Sequence, residues 1–212
     1  MSAIHTALLY IQQNWFELTA LVISILGVWL TALEKTINWP VNILACVLYG
    51  IVFYNSGIYL DASLQLFFIV FGVYGWYMWT KGGTQGGGLR ITKMPGKTYL
   101  VLLGIGIPSV FLLVWLLPHL TEWLTALLHI AVAKSTIPYF DSTTTVLSLI
   151  ATWMAAKKYI ENWLLWIITD LIYVPEYVIK DLYATAILYF IFTLLAVYGY
   201  FEWRKLKRKL TA

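Results

Sequence analysis

Three stretches of this 212-residue chain are long, apolar and free of charge. Leu182–Phe201 runs 20 residues without a charged side chain, and Ala62–Thr80 and Tyr99–Leu117 run 19 each. About 20 apolar residues in a helix cross a hydrocarbon core of roughly 30 Å. Inside that core every backbone N–H and C=O must be bonded within the protein, which leaves helices or closed barrels, and runs of this length select helices. Composition agrees: 61% of the residues are hydrophobic and 11% charged, where soluble domains carry roughly a quarter charged. The expected class is an all-α integral membrane protein.

Extended along the chain, the pattern predicts seven spans, at about 14–33, 37–55, 59–79, 99–117, 141–156, 162–179 and 182–203. Pro40 falls in the first turn of the second, where proline is tolerated. Asn55-Ser56-Gly57 separates the second from the third. Residues 118–134 carry His119, Glu122 and His129 and read as a helix lying on the membrane surface. With seven spans, twelve basic residues fall on one side: Lys35, Lys81, Arg90, Lys93, Lys97, Lys157, Lys158 and five in the tail from Arg204 to Lys209. Only Lys134 and Lys180 fall on the other. Basic residues collect on the cytoplasmic side, so the N-terminus is expected outside and the C-terminus inside. The same placement accounts for the net charge of +4 without a nucleic-acid partner. The glycine-rich run at residues 82–88 fits no phosphate loop, and the one cysteine, Cys46, forms no intrachain disulfide.

The chain also matches itself. Val22–Trp79 aligns without a gap on Val146–Trp203, an offset of 124, with 16 identities in 58 positions. Asn38-Trp39 meets Asn162-Trp163, Tyr49 meets Tyr173, Tyr74-Gly75 meets Tyr198-Gly199, and Trp79 meets Trp203. Each half holds three spans, an odd number, and the fourth span restores the orientation, so the halves are parallel about an axis along the membrane normal. The expected division is 1–97 for the first repeat with its cytoplasmic loop, 98–118 for a linker span, and 119–212 for the surface helix, second repeat and basic tail. Parallel repeats of this kind occur in transporters, with substrate bound between the halves near the midplane.

Polar groups inside hydrocarbon need a partner or a task. Asp170 falls in the middle of the sixth span, opposite Cys46 in the repeat. Its two readings are a counter-charge for substrate and a buried structural bond. Asn38, Asn42, Ala45 and Tyr49 share one face of the second span, and Asn162, Trp166, Asp170, Tyr173 and Tyr177 the matching face of the sixth. With Gln65, these faces suit a flat heterocycle: rings for stacking, amides and hydroxyls for orientation, an acid for a cation. Trp39, Trp79, Trp163 and Trp203 lie at span ends and read as an interfacial belt. Pro175 is expected to kink its helix. The histidines have no metal-ligand spacing, no cofactor is implied, and a catalytic cluster is missing. A retinal protein would need a lysine within Leu182–Phe201, which has none.

The run Asn38-Trp39-Pro40 … Tyr49 … Gln65 … Tyr74-Gly75-Trp76, followed by Glu161-Asn162-Trp163-Leu164-Leu165-Trp166 … Asp170 … Tyr173 … Tyr183 … Thr185-Ala186 … Leu188-Tyr189, resembles the PnuC family of bacterial vitamin transporters. Gly199-Tyr200 stands where the family pattern has Gly-Trp. The resemblance implies a three-plus-one-plus-three fold similar to the SWEET sugar transporters. It implies uptake of nicotinamide riboside, an NAD precursor, by facilitated diffusion in the bacterial inner membrane, with a homotrimer as the assembly. Thiamine and deoxynucleosides are substrates of related branches. The substrate set expected from residues and resemblance together is Asp170, Trp166, Gln65, Asn42, Tyr49, Tyr173, Tyr177, Tyr189 and Phe68.

Overall fold

The computed structural model describes residues 3–55, 59–83, 88–129, 137–179 and 183–211. Among them are seven helices and no strand: α1 Ala3–Ala32, α2 Asn38–Asn55, α3 Tyr59–Lys81, α4 Gly96–Leu128, α5 Pro138–Ala156, α6 Asn162–Ile179 and α7 Tyr183–Thr211. Asn14–Ala32, Asp61–Lys81, Gly96–Leu127 and Ala186–Lys209 are each long and apolar enough by themselves to cross a bilayer. Helices α2 and α6 have 18 residues each, about 27 Å at 1.5 Å per residue, close to the minimum for a span. They carry the polar faces, and each is the middle helix of its repeat.

Side chains are sorted inside out relative to a soluble protein. On α3, Leu66, Val70, Val73 and Tyr77 are exposed, while Gly72, Gly75 and Trp79 on the opposite face are buried. The spacing in both sets is the three-to-four step of one helix face. Helix α7 repeats the pattern, with Ala196, Gly199 and Trp203 inside and Ile187, Leu194 and Phe201 outside. The exposed apolar faces meet lipid.

Packing follows the repeat. Helix α2 lies on α1 and α3, α6 lies on α5 and α7, and the halves join through α3 on α5 and α1 on α7. The correspondence α1 to α5, α2 to α6 and α3 to α7 exchanges those two junctions, as a two-fold axis requires. Helix α4 packs mainly on α5, leaving Leu100, Leu103, Ile107, Phe111 and Trp115 exposed.

The turns after α1 and α5 are copies. Lys35 N–H bonds Leu30 O and Glu34 N–H bonds Thr31 O, each at 3.0 Å; Tyr159 and Lys158 bond Met154 and Ala155 at the same distances. These are Schellman turns, which place one residue in the left-handed region. That residue is Glu34 (φ 57°) in one repeat and Lys158 (φ 53°) in the other. The next helix is then pinned by an asparagine: Asn38 Nδ2 donates to Lys35 O at 2.7 Å, and Asn162 Nδ2 to Tyr159 O at 2.6 Å.

Three expectations change. The break expected at Pro118 is not there: α4 runs unbroken through Pro108 and Pro118 to Leu128. Each proline removes one ladder bond, and the remaining bonds of a 33-residue helix carry it across. Residues 130–134 of the expected surface helix lie outside the described residues. Helix α1 starts at Ala3, with non-helical geometry at Asn14 (φ −115°, ψ 18°), so the first span begins at a kink and not at a helix start. The four tryptophans are not a lipid-facing belt. Trp39, Trp79, Trp163 and Trp203 are at most 4% exposed and form the core between the halves. A tryptophan at a span end meets either the interface or a neighbouring helix, and here Gly75 and Gly199 decide it. A Cβ on Gly75 would run into the Trp39 ring, and one on Gly199 into the Trp163 ring. Small residues let the ring sink inward.

Candidate functional site

Asp170 is 3% exposed in the middle of α6. Among the described residues no hydrogen bond or ion pair reaches its carboxylate. Its neighbour Thr169 donates back to Leu165 O at 2.8 Å, along their own helix, so it is not a partner. A buried carboxylate without a partner is costly, and the structural reading of Asp170, a bond to a neighbouring Tyr, Trp or Asn, finds no support among the described residues.

Asp170 has aromatic neighbours one turn away in both directions along α6. One turn along α6, the Tyr173 ring lies 4.4 Å from the Tyr189 ring of α7, tilted by 34°. Tyr189 meets Phe192 edge-on at 5.9 Å. Trp166, one turn the other way, is partly buried. The side chain of Tyr177 lies outside the described residues, as does that of Glu176. The kink expected at Pro175 does not end the helix, which continues to Ile179.

The first repeat offers a second, uncharged wall. Tyr49 stacks on Phe53 at 5.6 Å and 28°. Gln65 starts its side chain against Gly50 of α2: a Cβ there would sit 3.6 Å from Gln65 Cβ, in ordinary contact. Tyr49 and Gln65 are the repeat mates of Tyr173 and Tyr189, so the same α-helical corner carries a tyrosine–amide pair in one half and a tyrosine pair in the other. Phe68 is partly buried on α3.

Asn42 is turned elsewhere. Its Nδ2 lies 3.4 Å from both Thr31 Oγ1 and Asn38 Oδ1, long and weak bonds. Its side chain rests on Gly27 of α1, where a Cβ would collide with it. It therefore fills the α1–α2 seam. Asn38 and Asn162, although on the polar faces, pin their turns and are fully buried.

At the basic end lies a feature that the hydropathy pattern does not reveal. Trp79 Nε1 donates to Ala155 O at 3.0 Å, and Trp203 Nε1 to Thr31 O at 3.1 Å. These are one bond seen twice, crossing between the halves in opposite directions. Between them Lys158 Nζ meets Glu34 Oε1 at 2.7 Å and sits 4.4 Å over the Trp79 ring. The loop before α4 ties in alongside: Thr92 N–H bonds Lys158 O, Ile160 N–H bonds Thr92 O, each at 3.0 Å, and Met94 N–H bonds Glu161 Oε2 at 3.0 Å. The signal was present at offset 124, where Glu34 aligns with Lys158. Opposite charges at equivalent positions meet when the axis passes between them.

A two-repeat helical bundle with polar, aromatic walls inside and lipid-facing faces outside defines a multi-pass membrane transporter of small molecules. The chain belongs to the family described as nicotinamide mononucleotide transporter, whose model matches residues 14–205. It is 29% identical over 203 residues to the nicotinamide riboside transporter PnuC of Escherichia coli K12, covering 90% of this chain and 85% of that protein. It is 25% identical over 207 residues to the protein of the same name from Neisseria mucosa, covering 93% and 74%. In fold it is similar to the crystal structure of the vitamin B3 transporter PnuC, with a TM-score of 0.72, 22% identity, and coverage of 97% of this chain and 87% of that one.

Proposed function

We propose that the protein takes up nicotinamide riboside, bound between the two repeats with its cationic ring toward Asp170. The observation that carries this reading is the buried carboxylate of Asp170, without a partner among the described residues, on the helix that carries Tyr173 of the Tyr173–Tyr189 ring pair. A pyridinium supplies the positive charge, and Tyr173, Tyr189 and Trp166 supply faces for it. Tyr49, Gln65 and Phe68 line the side of the carboxamide and ribose, and Tyr177 completes the acid-bearing wall.

The family description and the names of the relatives differ in a phosphate. The riboside fits this chain better. No Lys or Arg occurs in α2, α5 or α6, or in α3 before Lys81, so a phosphate dianion would lie near Asp170 with no cation to meet it. Thiamine, also a cationic heterocycle, is the runner-up on the same carboxylate, and neutral deoxynucleosides come third.

Transport is by facilitated diffusion through rocking of the two repeats. The membrane is the bacterial cytoplasmic membrane, with the N-terminus outside and the basic C-terminus inside, and the assembly is a homotrimer. Support for the orientation is the twelve-to-two division of basic residues; support for the trimer is the resemblance to the PnuC family. Liposomes carrying the protein should take up labelled nicotinamide riboside to equilibrium without an ion gradient, and thiamine should compete weakly. Uptake of the mononucleotide in preference, or of neither compound, would overturn the assignment.

A further inference from the structure

Equivalent points in two parallel repeats straddle the axis that relates them, so equivalent residues that touch each other lie on that axis. At the basic end two such pairs do. The Trp79 and Trp203 rings are 5.8 Å apart, and Lys158 and Glu34 are 2.7 Å apart. The axis is the line along which the halves face each other, and a molecule held between them must leave along it. At this end it is filled.

We propose that the Lys158–Glu34 pair is the lock of a gate: two positioning residues that hold the repeats shut below the substrate site. The inference rests on the alternating-access reading above. Three cross-repeat polar contacts, Trp79 to Ala155, Trp203 to Thr31 and Lys158 to Glu34, lie at this end, and the two Trp bonds are exchanged by the axis. A rotation of one half against the other therefore lengthens both together. The closed state also carries costs that opening relieves. Trp39 Nε1 and Trp163 Nε1, equivalent atoms, are buried without a partner, and water entering an opened end would satisfy them. Glu34 and Lys158 are the left-handed residues of their Schellman turns, whose bonds lie within one repeat, so each turn moves with its own half and carries its charge to the axis. Those costs set against a few discrete bonds describe a two-state element and not an inert core.

The lock is asymmetric where its surroundings are symmetric. Lys158 lies over Trp79, and by the repeat a lysine at position 34 would lie over Trp203. The charges are therefore interchangeable. A like pair is excluded, since two lysines or two glutamates would meet on the axis with little water: the side chains are 7% and 22% exposed.

Cys46 gives the readout. It is the chain's one cysteine, partly buried in α2, and the repeat mate of Asp170. In vesicles exposing the basic end, a membrane-impermeant maleimide should label Cys46 about tenfold faster in E34Q and in K158Q than in the wild type, the response of a minor open state to loss of one lock. The exchange E34K/K158E should return the rate to within about twofold of wild type. Wild-type labelling in folded E34Q and K158Q would overturn the lock. An exchanged protein that labels as fast as the neutral variants, or that does not fold, would overturn it too. Should the neutral variants fail to fold, the exchange alone decides. Titration with nicotinamide riboside separates the two proposals: a labelling response in a protein that does not bind the riboside removes the substrate and keeps the lock.

Discussion

In the first repeat Asn38 closes its turn on Lys35, Trp39 lies on Gly75, and Trp79 reaches across to Ala155. In the second, Asn162, Trp163 and Trp203 do the same with Tyr159, Gly199 and Thr31. The Trp39–Trp79 and Trp163–Trp203 rings even meet at the same 5.5 Å, edge to face. Other positions differ between the halves: Cys46 against Asp170, Asn42 against Trp166, Gln65 against Tyr189, Glu34 against Lys158. The asparagines and tryptophans kept in both halves hold the scaffold. Residues that differ make the halves unlike: a carboxylate stands in one where a thiol stands in the other, and one ion pair lies on the axis.

The largest effect tests the scaffold. Trp79→Ala and Trp203→Ala should each cost about 3–5 kcal/mol, the usual loss for a buried tryptophan, because each removes a fully packed ring and a cross-repeat bond. Thermal unfolding in detergent should show the two losses equal to within about 1 kcal/mol. A large inequality would mean that one half folds alone and the other leans on it.

Next comes the charged wall. Asp170→Asn should weaken riboside binding by about 1.5–3 kcal/mol, the worth of a bond to a charged group, or roughly ten- to a hundredfold in Kd. Its repeat mate gives the contrast: Cys46→Ser should change binding by less than about 0.5 kcal/mol. Isothermal titration of both variants decides it. Equal losses would place the ring of the substrate on the axis, with neither wall preferred.

How legible was this in the sequence? Seven helices followed from uncharged runs, because hydrocarbon leaves the backbone no other choice. The parallel repeat followed from rare residues at one offset. The fate of single side chains did not. Pro118 looked like a boundary, since proline removes a donor, but α4 has bonds enough on either side. Trp39 and Trp163 looked like belt residues, since distance from a span end says nothing about which way a ring faces; the glycine opposite does. Asn42 shares a face with Tyr49 but leans on Gly27, a neighbour on another helix that no spacing reveals. The burial of Asp170 is legible, because an acid within an apolar span must face the protein and not lipid. The Glu34–Lys158 pair is hidden in the sequence because loop charges have an ordinary explanation in topology.

The smallest effect probes where the scaffold itself stops being symmetric. Asn38 and Asn162 make the same bond to their turns, yet their oxygens differ. Asn38 Oδ1 receives Asn42 Nδ2 at 3.4 Å, whereas Asn162 Oδ1 is buried without a partner, since Trp166 stands where Asn42 does. Asn38→Ala removes a bond and takes a second contact from Asn42, for a loss of about 1–1.5 kcal/mol. Asn162→Ala removes a similar bond but also relieves a buried, unpaired acceptor, so its loss should be smaller, about 0.5–1 kcal/mol. Chemical denaturation of the two variants under one condition measures the order directly. If Asn162→Ala is the more damaging, its oxygen has a bound water, and the tryptophan at 166 was accommodated by hydrating the turn below it.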